Sequence, residues 1–187
     1  WVEKEERWGL ISTSGEVVFD FEIYDKPTFE SGVCWSHWGG GWGAIAPDGE
    51  VLFEPKLFSR PTFFNDICWT RWNGGWGAVN SRGEVLFEPI IEDLGEFSDG
   101  VAWARWSGGW GVVSSMGVVV FEPVLDSRPM FEDSVAWTKW NGRWGAVSST
   151  GGVVFDAVLD EKPIFDENGY SWIRNGLLWG AVNEEGE

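Results

Sequence analysis

The dipeptide Trp-Gly recurs along the chain at an almost constant spacing, and this repeat limits the fold more than any other feature of the sequence. Successive copies lie 34, 34, 34, 34 and 35 residues apart. The six copies begin at Trp8, Trp42, Trp76, Trp110, Trp144 and Trp179. A fixed period of this length is typical of stacked repeat architectures, in which one small unit buries its apolar face only against its neighbours. We therefore predict a single repeat domain over residues 1–187. Its repeats are expected at 1–34, 35–68, 69–102, 103–136 and 137–171, with a partial sixth at 172–187.

Each repeat is predicted to contain three short β-strands. In the central copy, strand A covers residues 101–106, where β-branched and aromatic residues alternate with small ones. Residues 107–109 form a glycine-containing hairpin turn, strand B follows at 110–113, and strand C covers 118–122. No stretch of ten residues shows the helical period. The fold is therefore predicted to be all-β.

Glycine and proline are expected to set the ends of these strands. A glycine follows every Trp of a Trp-Gly pair after seven residues, which predicts a turn with positive φ in each repeat. These glycines are Gly15, Gly49, Gly83, Gly117, Gly151 and Gly186. Proline follows in three copies, at Pro55, Pro89 and Pro123. Because proline cannot donate a backbone hydrogen bond, we expect it to end strand C.

Two arrangements of such repeats agree with the sequence. A β-propeller needs a whole number of blades, often with one blade shared between the two termini. Here both ends of the chain supply a strand A and a strand B, so they do not complement each other, and blades of 34 residues would be short. We therefore favour an open twisted array of three-stranded repeats, with a five-bladed β-propeller as the alternative.

The repeated string resembles a known family. Residues 97–118 read F-S-D-G-V-A-W-A-R-W-S-G-G-W-G-V-V-S-S-M-G-V, and similar strings cover the whole chain. They resemble the bacterial WG-repeat family, whose units centre on a hairpin of the type N-G-K-W-G-Y-I-D-x-x-G-K. This chain differs in having Ala, Val or Leu after Trp-Gly, where an aromatic residue is common, and in its extra tryptophans on strand A. The resemblance implies a non-catalytic repeat scaffold and carries over no catalytic residue.

Strand A carries two tryptophans three residues apart, which point to opposite faces of an extended strand. The first occurs in all six copies, as Trp1, Trp35, Trp69, Trp103, Trp137 and Trp172. We predict that these rings and the Trp of each Trp-Gly form the core. The glycine of Trp-Gly has no side chain, so a neighbouring ring is expected to lie against the backbone there.

The second tryptophan of strand A is confined to the four inner copies. It is present as Trp38, Trp72, Trp106 and Trp140, whereas Lys4 and Asn175 replace it in the first and last copies. One explanation is that these rings stack between repeats and the end copies are polar because nothing covers them. The other is an exposed aromatic ladder that binds sugar rings or apolar residues of a partner.

A basic residue precedes the second tryptophan in this otherwise acidic chain. The column consists of His37, Arg71, Arg105 and Lys139, and Arg174 occupies the same place in the last copy. Such a residue could pair with the acid that follows the Phe of strand C, or lie over the first Trp as a cation–π contact. Together the bases and the second tryptophans make a candidate binding site for an acidic glycan or carboxylate.

Composition excludes several kinds of partner. The chain has 13 Lys and Arg against 30 Asp and Glu, a formal charge of −17, so nucleic acid is expected to be repelled. No run approaches the ~18 apolar residues of a membrane span, so we expect no insertion in a membrane. Cys34 and Cys68 stand at equivalent places where later copies have Ala102 and Ala136, which predicts small buried residues.

The sequence predicts no catalytic group, metal site or cofactor. His37 is the only histidine, so neither a Ser-His-Asp triad nor a site with several histidines can be assembled in more than one copy, and its place in the basic column indicates a substitute for Arg or Lys. Two functions remain. The first is a scaffold that binds other proteins or assembles with itself into oligomers or filaments. The alternative is a multivalent carbohydrate-binding module that combines several weak sites.

Overall fold

The protein is built only from β-strands and divides into two compact units. The computed structural model describes residues 1–132, 134–175 and 178–187, and these residues contain no helix. Residues 1–90 form what we call the N-terminal unit and residues 91–187 the C-terminal unit. The prediction that all repeats belong to one domain stays a prediction.

The N-terminal unit contains three antiparallel sheets of three strands, each in the order A, B, C. The sheets are β1-β2-β3, β4-β5-β6 and β7-β8-β9. Their strands are β1 (Val2–Lys4), β2 (Arg7–Ile11), β3 (Val17–Ile23), β4 (Cys34–Trp38), β5 (Gly41–Ile45), β6 (Val51–Leu57), β7 (Ile67–Trp72), β8 (Gly75–Asn80) and β9 (Val85–Ile91).

In the C-terminal unit, neighbouring repeats join into one sheet of seven strands, β10 to β16 in sequence order, and a hairpin β17-β18 follows. The strands are β10 (Asp93–Leu94), β11 (Val101–Trp106), β12 (Gly109–Ser114), β13 (Val119–Leu125), β14 (Val135–Trp140), β15 (Arg143–Ser148), β16 (Val153–Leu159), β17 (Tyr170–Asn175) and β18 (Leu178–Asn183). Strand C of the fourth repeat pairs with strand A of the fifth where Leu125 faces Trp140. The predicted all-β array of three-stranded repeats is confirmed, and none of the described sheets closes into a barrel.

Positive φ angles occur at the turns where the sequence predicts them. In the turn between strands A and B, both central residues are left-handed, as at Asn73 (φ 51°) and Gly74 (φ 90°). This is the two-residue turn whose twist matches that of the flanking strands. The recurrent glycine between strands B and C has a φ between 80° and 92° in all six copies. The constant spacing of this glycine in the sequence therefore reflects the positive φ that the turn requires.

Proline does not end strand C, contrary to the expectation. Strand β6 continues past Pro55 to Leu57, and β13 continues past Pro123 to Leu125. The register shifts around this point, because Trp110 faces Leu125 while Val112 faces Phe121. Proline is tolerated in such an irregularity, where the ladder needs no hydrogen bond from its nitrogen.

A column of aliphatic residues that the sequence analysis missed is almost fully buried in each of the first five repeats. Its members are 0% to 2% exposed, and each comes fifteen residues after the Trp of Trp-Gly. They are Ile23, Leu57, Ile91, Leu125 and Leu159. The constant offset was visible in the sequence, but the prolines suggested that the strand had already ended.

The predicted close contact at the Trp-Gly glycine is confirmed, and the ring that fills it is the second Trp of strand A. A Cβ on Gly111 would lie 2.6 Å from Cη2 of Trp106 and 2.5 Å from the Phe121 carbonyl oxygen. Gly43, Gly77 and Gly145 have the same contacts with Trp38, Trp72 and Trp140, at 2.3 to 2.5 Å for the ring. Any side chain at this position would displace both the indole and strand C.

Phenylalanines of strand C link each repeat to the next within a unit. The ring of Phe53 lies 5.6 Å from Trp35 of its own repeat and 5.8 Å from Trp72 of the following repeat, edge-on. The first Trp adds a hydrogen bond between repeats, since Nε1–H of Trp35 donates to the Ser81 carbonyl oxygen at 2.9 Å. Trp103 and Trp137 donate in the same way to Ser149 and Glu184.

We predict that Gly111→Ala lowers the free energy of unfolding by about 3 kcal/mol, because the new methyl group overlaps Trp106 and strand C. Gly180→Ala is the matched control. It occupies the equivalent place in the last hairpin, where nothing lies within 4 Å. That variant is expected to change stability by less than about 1 kcal/mol. Urea unfolding measures both, and equal effects of the two substitutions would contradict this packing.

Candidate functional site

The structure distinguishes between the two explanations of the second tryptophans of strand A. The second tryptophans of strand A are the buried ones, with Trp38, Trp72, Trp106 and Trp140 exposed by 5%, 3%, 4% and 8%. They pack as the stacking explanation required and present no open ladder. Lys4, which replaces this Trp in the first copy, is exposed. The side chain of Asn175, its counterpart in the last copy, lies outside what the structure describes.

The first tryptophan of strand A and the Trp of Trp-Gly lie at the margin of the core, which corrects the prediction that they form it. In repeats one to five both are only partly buried, and in repeats one, two and four they pack against the buried clusters. In the last hairpin, Trp172 and Trp179 are 76% and 67% exposed. Strand A therefore does place its two tryptophans on opposite faces, but the face with the small residues is the interior one.

The predicted basic column lies on the outer face, across from the Trp of Trp-Gly. His37, Arg71, Arg105 and Lys139 pair across the hairpin with Trp42, Trp76, Trp110 and Trp144. The guanidinium of Arg71 stands 5.8 Å from the centre of the Trp76 ring and donates to the Gly74 carbonyl oxygen. Arg105 pairs with Glu92 at 3.6 Å. A cation–π contact is thus formed, but with the third Trp of the repeat and not with the first.

His37 makes aromatic contacts only. Its ring centre lies 6.0 Å from that of Trp42 and 6.3 Å from that of Tyr24. Burial separates the predicted site into two parts, because the four second tryptophans are interior while these bases stand on the outer face. The structure does not bring the eight predicted residues together into one exposed surface.

The N-terminal unit has a cleft of about 560 Å³, whose lining residues include two other bases, Lys26 and Arg60. Two indole rings, Trp35 and Trp42, and the ring of Phe63 form its apolar part. Its polar lining is Asp25, Lys26, Thr28, Glu30, Ser31, Ser36, Arg60 and Ser81. A volume in this range accommodates a small molecule or a few residues of a peptide.

The C-terminal unit has a cleft of about 540 Å³ at the equivalent place, three repeats further on. Trp137, Trp144 and Phe165 take the places of Trp35, Trp42 and Phe63. The bases are Arg128 and Lys162, and the acids are Glu132, Glu184 and Glu185. Met130 on the rim is 87% exposed and stands where the first cleft has Thr28. We call these two sites the N-terminal cleft and the C-terminal cleft.

The four cleft bases are held over indole rings. They come from the Lys-Pro or Arg-Pro step of the connector, which the sequence analysis did not consider as a site. Lys26 lies 5.6 Å from the Trp8 ring centre and Arg60 5.7 Å from that of Trp42. Arg128 and Lys162 are at 5.4 Å and 5.9 Å from Trp110 and Trp144. In the described part of the chain none of the four forms an ion pair, although the chain has 30 acidic residues.

Cys34 is one of the residues that line the N-terminal cleft. Both cysteines are buried, as predicted, and both are free thiols. Burial raises the pKa of the Cys34 thiol, while a backbone N–H of Thr28 and the charge of Arg60 act in the opposite direction. Burial raises the pKa of Cys68 as well, against a hydrogen bond from the Thr62 backbone. The position is therefore not purely apolar, because its sulfur accepts a hydrogen bond from the connector.

A raised thiol pKa has a direct consequence for stability. The folded protein disfavours the thiolate, so this contribution is complete below the ordinary thiol pKa and is lost as the pH rises above it. We predict that the free energy of unfolding falls between about pH 8 and about pH 10. If both cysteines are replaced by Ala, the residue that later repeats have at Ala102 and Ala136, the free energy of unfolding should fall less steeply with pH. Denaturant titration at each pH tests this, and an unchanged slope in the double variant would contradict it.

The described residues contain no group of three or more His, Cys, Asp or Glu that could hold a metal ion. In the same residues no helix is long and apolar enough to cross a membrane. The side chains that line the clefts present aromatic faces, cations, carboxylates and hydroxyl groups.

Comparison with known proteins agrees with the repeat geometry. The model of the WG containing repeat family matches residues 8–35, 76–106 and 110–144, together half of the chain. No curated protein matches the sequence. Each matched segment begins at the Trp of a Trp-Gly pair. Gly77 and Gly111 accommodate a ring from the strand A that precedes them, whereas Gly9 meets Phe21 of strand C. This chain belongs to the WG containing repeat family.

Proposed function

We propose that the protein is a non-catalytic repeat scaffold that binds other proteins through its clefts. The observation that carries this proposal is the recurrence of one cleft at equivalent places in both units, with the same two indoles, phenylalanine and pair of bases. A surface that is repeated in this way suits an extended partner, which gains affinity by engaging more than one site.

The composition of the clefts favours a protein partner. Trp, Tyr and Arg supply most of the binding energy in protein interfaces, and Met and Arg are enriched there. The C-terminal cleft contains all four types, with Met130 and Tyr170 well exposed beside Arg128 and Trp144. Stacking on indoles fixes the bases, so less side-chain entropy is lost when they donate hydrogen bonds to a partner.

The lack of suitable reacting groups supports a non-catalytic role. The only histidine, His37, lies against Trp42 and Tyr24. The thiol that lines the N-terminal cleft, Cys34, has a pKa raised by burial, which disfavours the nucleophilic thiolate. The net charge of −17 supports excluding nucleic acid as a partner.

A carbohydrate is the second candidate ligand, and the N-terminal cleft provides the observation in its favour. Its two acids and two bases balance in charge, and Thr28, Ser31 and Ser81 bring hydroxyl groups next to the indoles. An uncharged sugar has an apolar ring face for the indole and hydroxyl groups for such donors and acceptors. An acidic glycan would meet the negative charge of the whole chain.

The proposal is tested by panning the full chain against a random peptide library and measuring the recovered peptides by fluorescence polarisation. The double variant Arg60→Glu, Arg128→Glu reverses one base in each cleft and is expected to weaken binding at least about tenfold. Arg82→Glu, an exposed base outside the clefts, is the control and should bind as the unmodified chain does. Peptides that bind the double variant equally well would refute a role for the clefts.

A glycan array run with the same three proteins separates the two candidates. If the chain binds neutral glycans, the double variant does not, and no peptide is recovered, the ligand is a carbohydrate and the proposal of a protein partner is wrong. No glycan response beside peptides that depend on the clefts would support the proposal as stated.

A further inference from the structure

Two residues of β4 that line the N-terminal cleft are almost fully buried. Cys34 is 3% exposed and Ser36 is 6% exposed. They stand two positions apart on the strand, so their side chains lie on the same face of it. The cleft therefore reaches from the surface to the interior face of this strand.

The thiol of Cys34 already has a partner within the fold. Its sulfur accepts a hydrogen bond from the backbone N–H of Thr28 in the connector. Ser171 occupies the same place in the last hairpin, and its hydroxyl oxygen accepts a hydrogen bond from the backbone N–H of Ile164 at 3.1 Å. A side chain at this position therefore holds the connector, which gives Cys34 a structural role.

The hydroxyl of Ser36 has no such partner. It forms no hydrogen bond with any residue that the structure describes. In the same part of the chain, every side-chain nitrogen or oxygen that solvent cannot reach is hydrogen-bonded, so the Ser36 oxygen must be reached from the cleft that it lines. The fold does not need a hydroxyl here, because Ala104 takes this place in the fourth repeat. The Ser36 hydroxyl is thus available to a ligand.

The guanidinium of Arg60 lies close to these floor residues. Its positive charge acts on the Cys34 thiol, and it stands 5.7 Å from the centre of the Trp42 ring. Its side chain forms no hydrogen bond and no ion pair with the described residues. The inner end of the cleft therefore offers two unused hydrogen-bond donors, one neutral and one charged.

We propose that the N-terminal cleft binds the C-terminal residue of a partner polypeptide, whose carboxylate accepts hydrogen bonds from the Ser36 hydroxyl and the Arg60 guanidinium. The inference rests on the protein-binding role proposed for the clefts and names the part of the partner that this cleft takes. A carboxylate suits these donors, because its two oxygens can accept from a guanidinium and a hydroxyl together. The terminal side chain is apolar, since Trp35, Trp42 and Phe63 form the apolar wall.

Charge favours a single carboxylate in this cleft. Its lining carries two acids, Asp25 and Glu30, and two bases, Lys26 and Arg60, so its net charge is zero. One negative charge is therefore not opposed there, whereas a phosphate would bring about two. Salt screens exposed charges that lie more than about 8 Å away, so the acids elsewhere on the chain oppose the carboxylate only weakly.

Shape favours the end of a polypeptide over an internal segment. A chain end can enter a cleft that reaches into the interior of a domain, whereas an internal segment would have to turn and leave again. The volume of about 560 Å³ holds a few residues. Capture of a terminal carboxylate is a recurring mode of peptide recognition.

The C-terminal cleft is not expected to bind a carboxylate in this way. Lys162 stands where the N-terminal cleft has Arg60, and Thr138 stands where it has Ser36. Thr138 is 4% exposed and does not line the C-terminal cleft in the described part of the chain. That cleft has the base without the hydroxyl, so its residues provide matched controls.

The test measures the binding of labelled peptides to the full chain by fluorescence polarisation. The peptides have the form Gly-Gly-Ser-X, where X is Phe, Leu or Trp, and carry the label at the N-terminus. Each is made with a free terminal carboxylate and with a terminal amide. The carboxylate form is expected to bind at least about tenfold more tightly, because hydrogen bonds to a charged acceptor are lost in the amide.

Ser36→Ala is the decisive variant. It should weaken binding of the carboxylate peptides at least about tenfold and keep the melting temperature of the unmodified chain, because the hydroxyl bonds to nothing in the protein. Thr138→Ala is its control and should bind as the unmodified chain does. Arg60→Gln should weaken binding by a similar factor, whereas Lys162→Gln should not.

Four results would overturn this inference. They are equal binding of the carboxylate and amide peptides, no binding of any carboxylate peptide, unchanged binding by Ser36→Ala, and a lowered melting temperature of Ser36→Ala, which would give the hydroxyl a structural role. Displacement of the peptide by 3-phenylpropionate at equal concentration would assign the site to a free carboxylic acid and not to a polypeptide end.

Failure of this inference can be distinguished from failure of the protein-binding proposal. Peptides recovered by panning that require Arg60 but bind equally well as acid and as amide would refute only the role of the terminal carboxylate. Panning that recovers no peptide dependent on the clefts would refute the protein-binding proposal itself.

Discussion

The close contact between an indole and a glycine on the next strand is the interaction on which the fold depends. Trp106 lies across the hairpin over Gly111, where no Cβ could stand, and strand C approaches the same glycine from the other side. A single missing side chain thus admits a large ring and a third strand at once. This explains why the second tryptophan of strand A recurs together with the glycine of Trp-Gly in the four inner repeats, since the ring needs the gap and the gap would otherwise be a cavity.

The same contact makes the repeats depend on one another. The indole that fills the gap is covered on its other side by a Phe from the preceding repeat, as Trp72 is by Phe53. That Phe also packs on Trp35, whose Nε1–H bonds to the turn of the next repeat at Ser81. The interfaces between repeats one and two, two and three, and four and five therefore each contain an aromatic contact and a hydrogen bond that one repeat alone could not form. Stability in such a chain is expected to be a sum of repeat terms and nearest-neighbour terms.

The sequence predicts the strands and turns well because their signals are local. Positive φ at Gly117 and the two-residue turn at Ser107 and Gly108 follow from residues next to one another in the chain. Local signals do not predict which face of strand A becomes buried. Both faces carry a tryptophan, so alternation alone cannot decide between Trp103 and Trp106. The size of their neighbours decides it, because room for a ring exists only over the glycine of the partner strand.

The clefts were not predictable because they combine residues from several separate segments. Lys26 and Arg60 come from connectors of two successive repeats, and the indole Trp42 lies between them in sequence. The basic-proline steps were visible as a pattern, yet nothing local shows which ring a base will cover. The packing that buries the second tryptophans leaves the first and third at the margin. Partial exposure of these indoles beside fixed cations is therefore a consequence of the fold, and the amino acids around them determine what they bind.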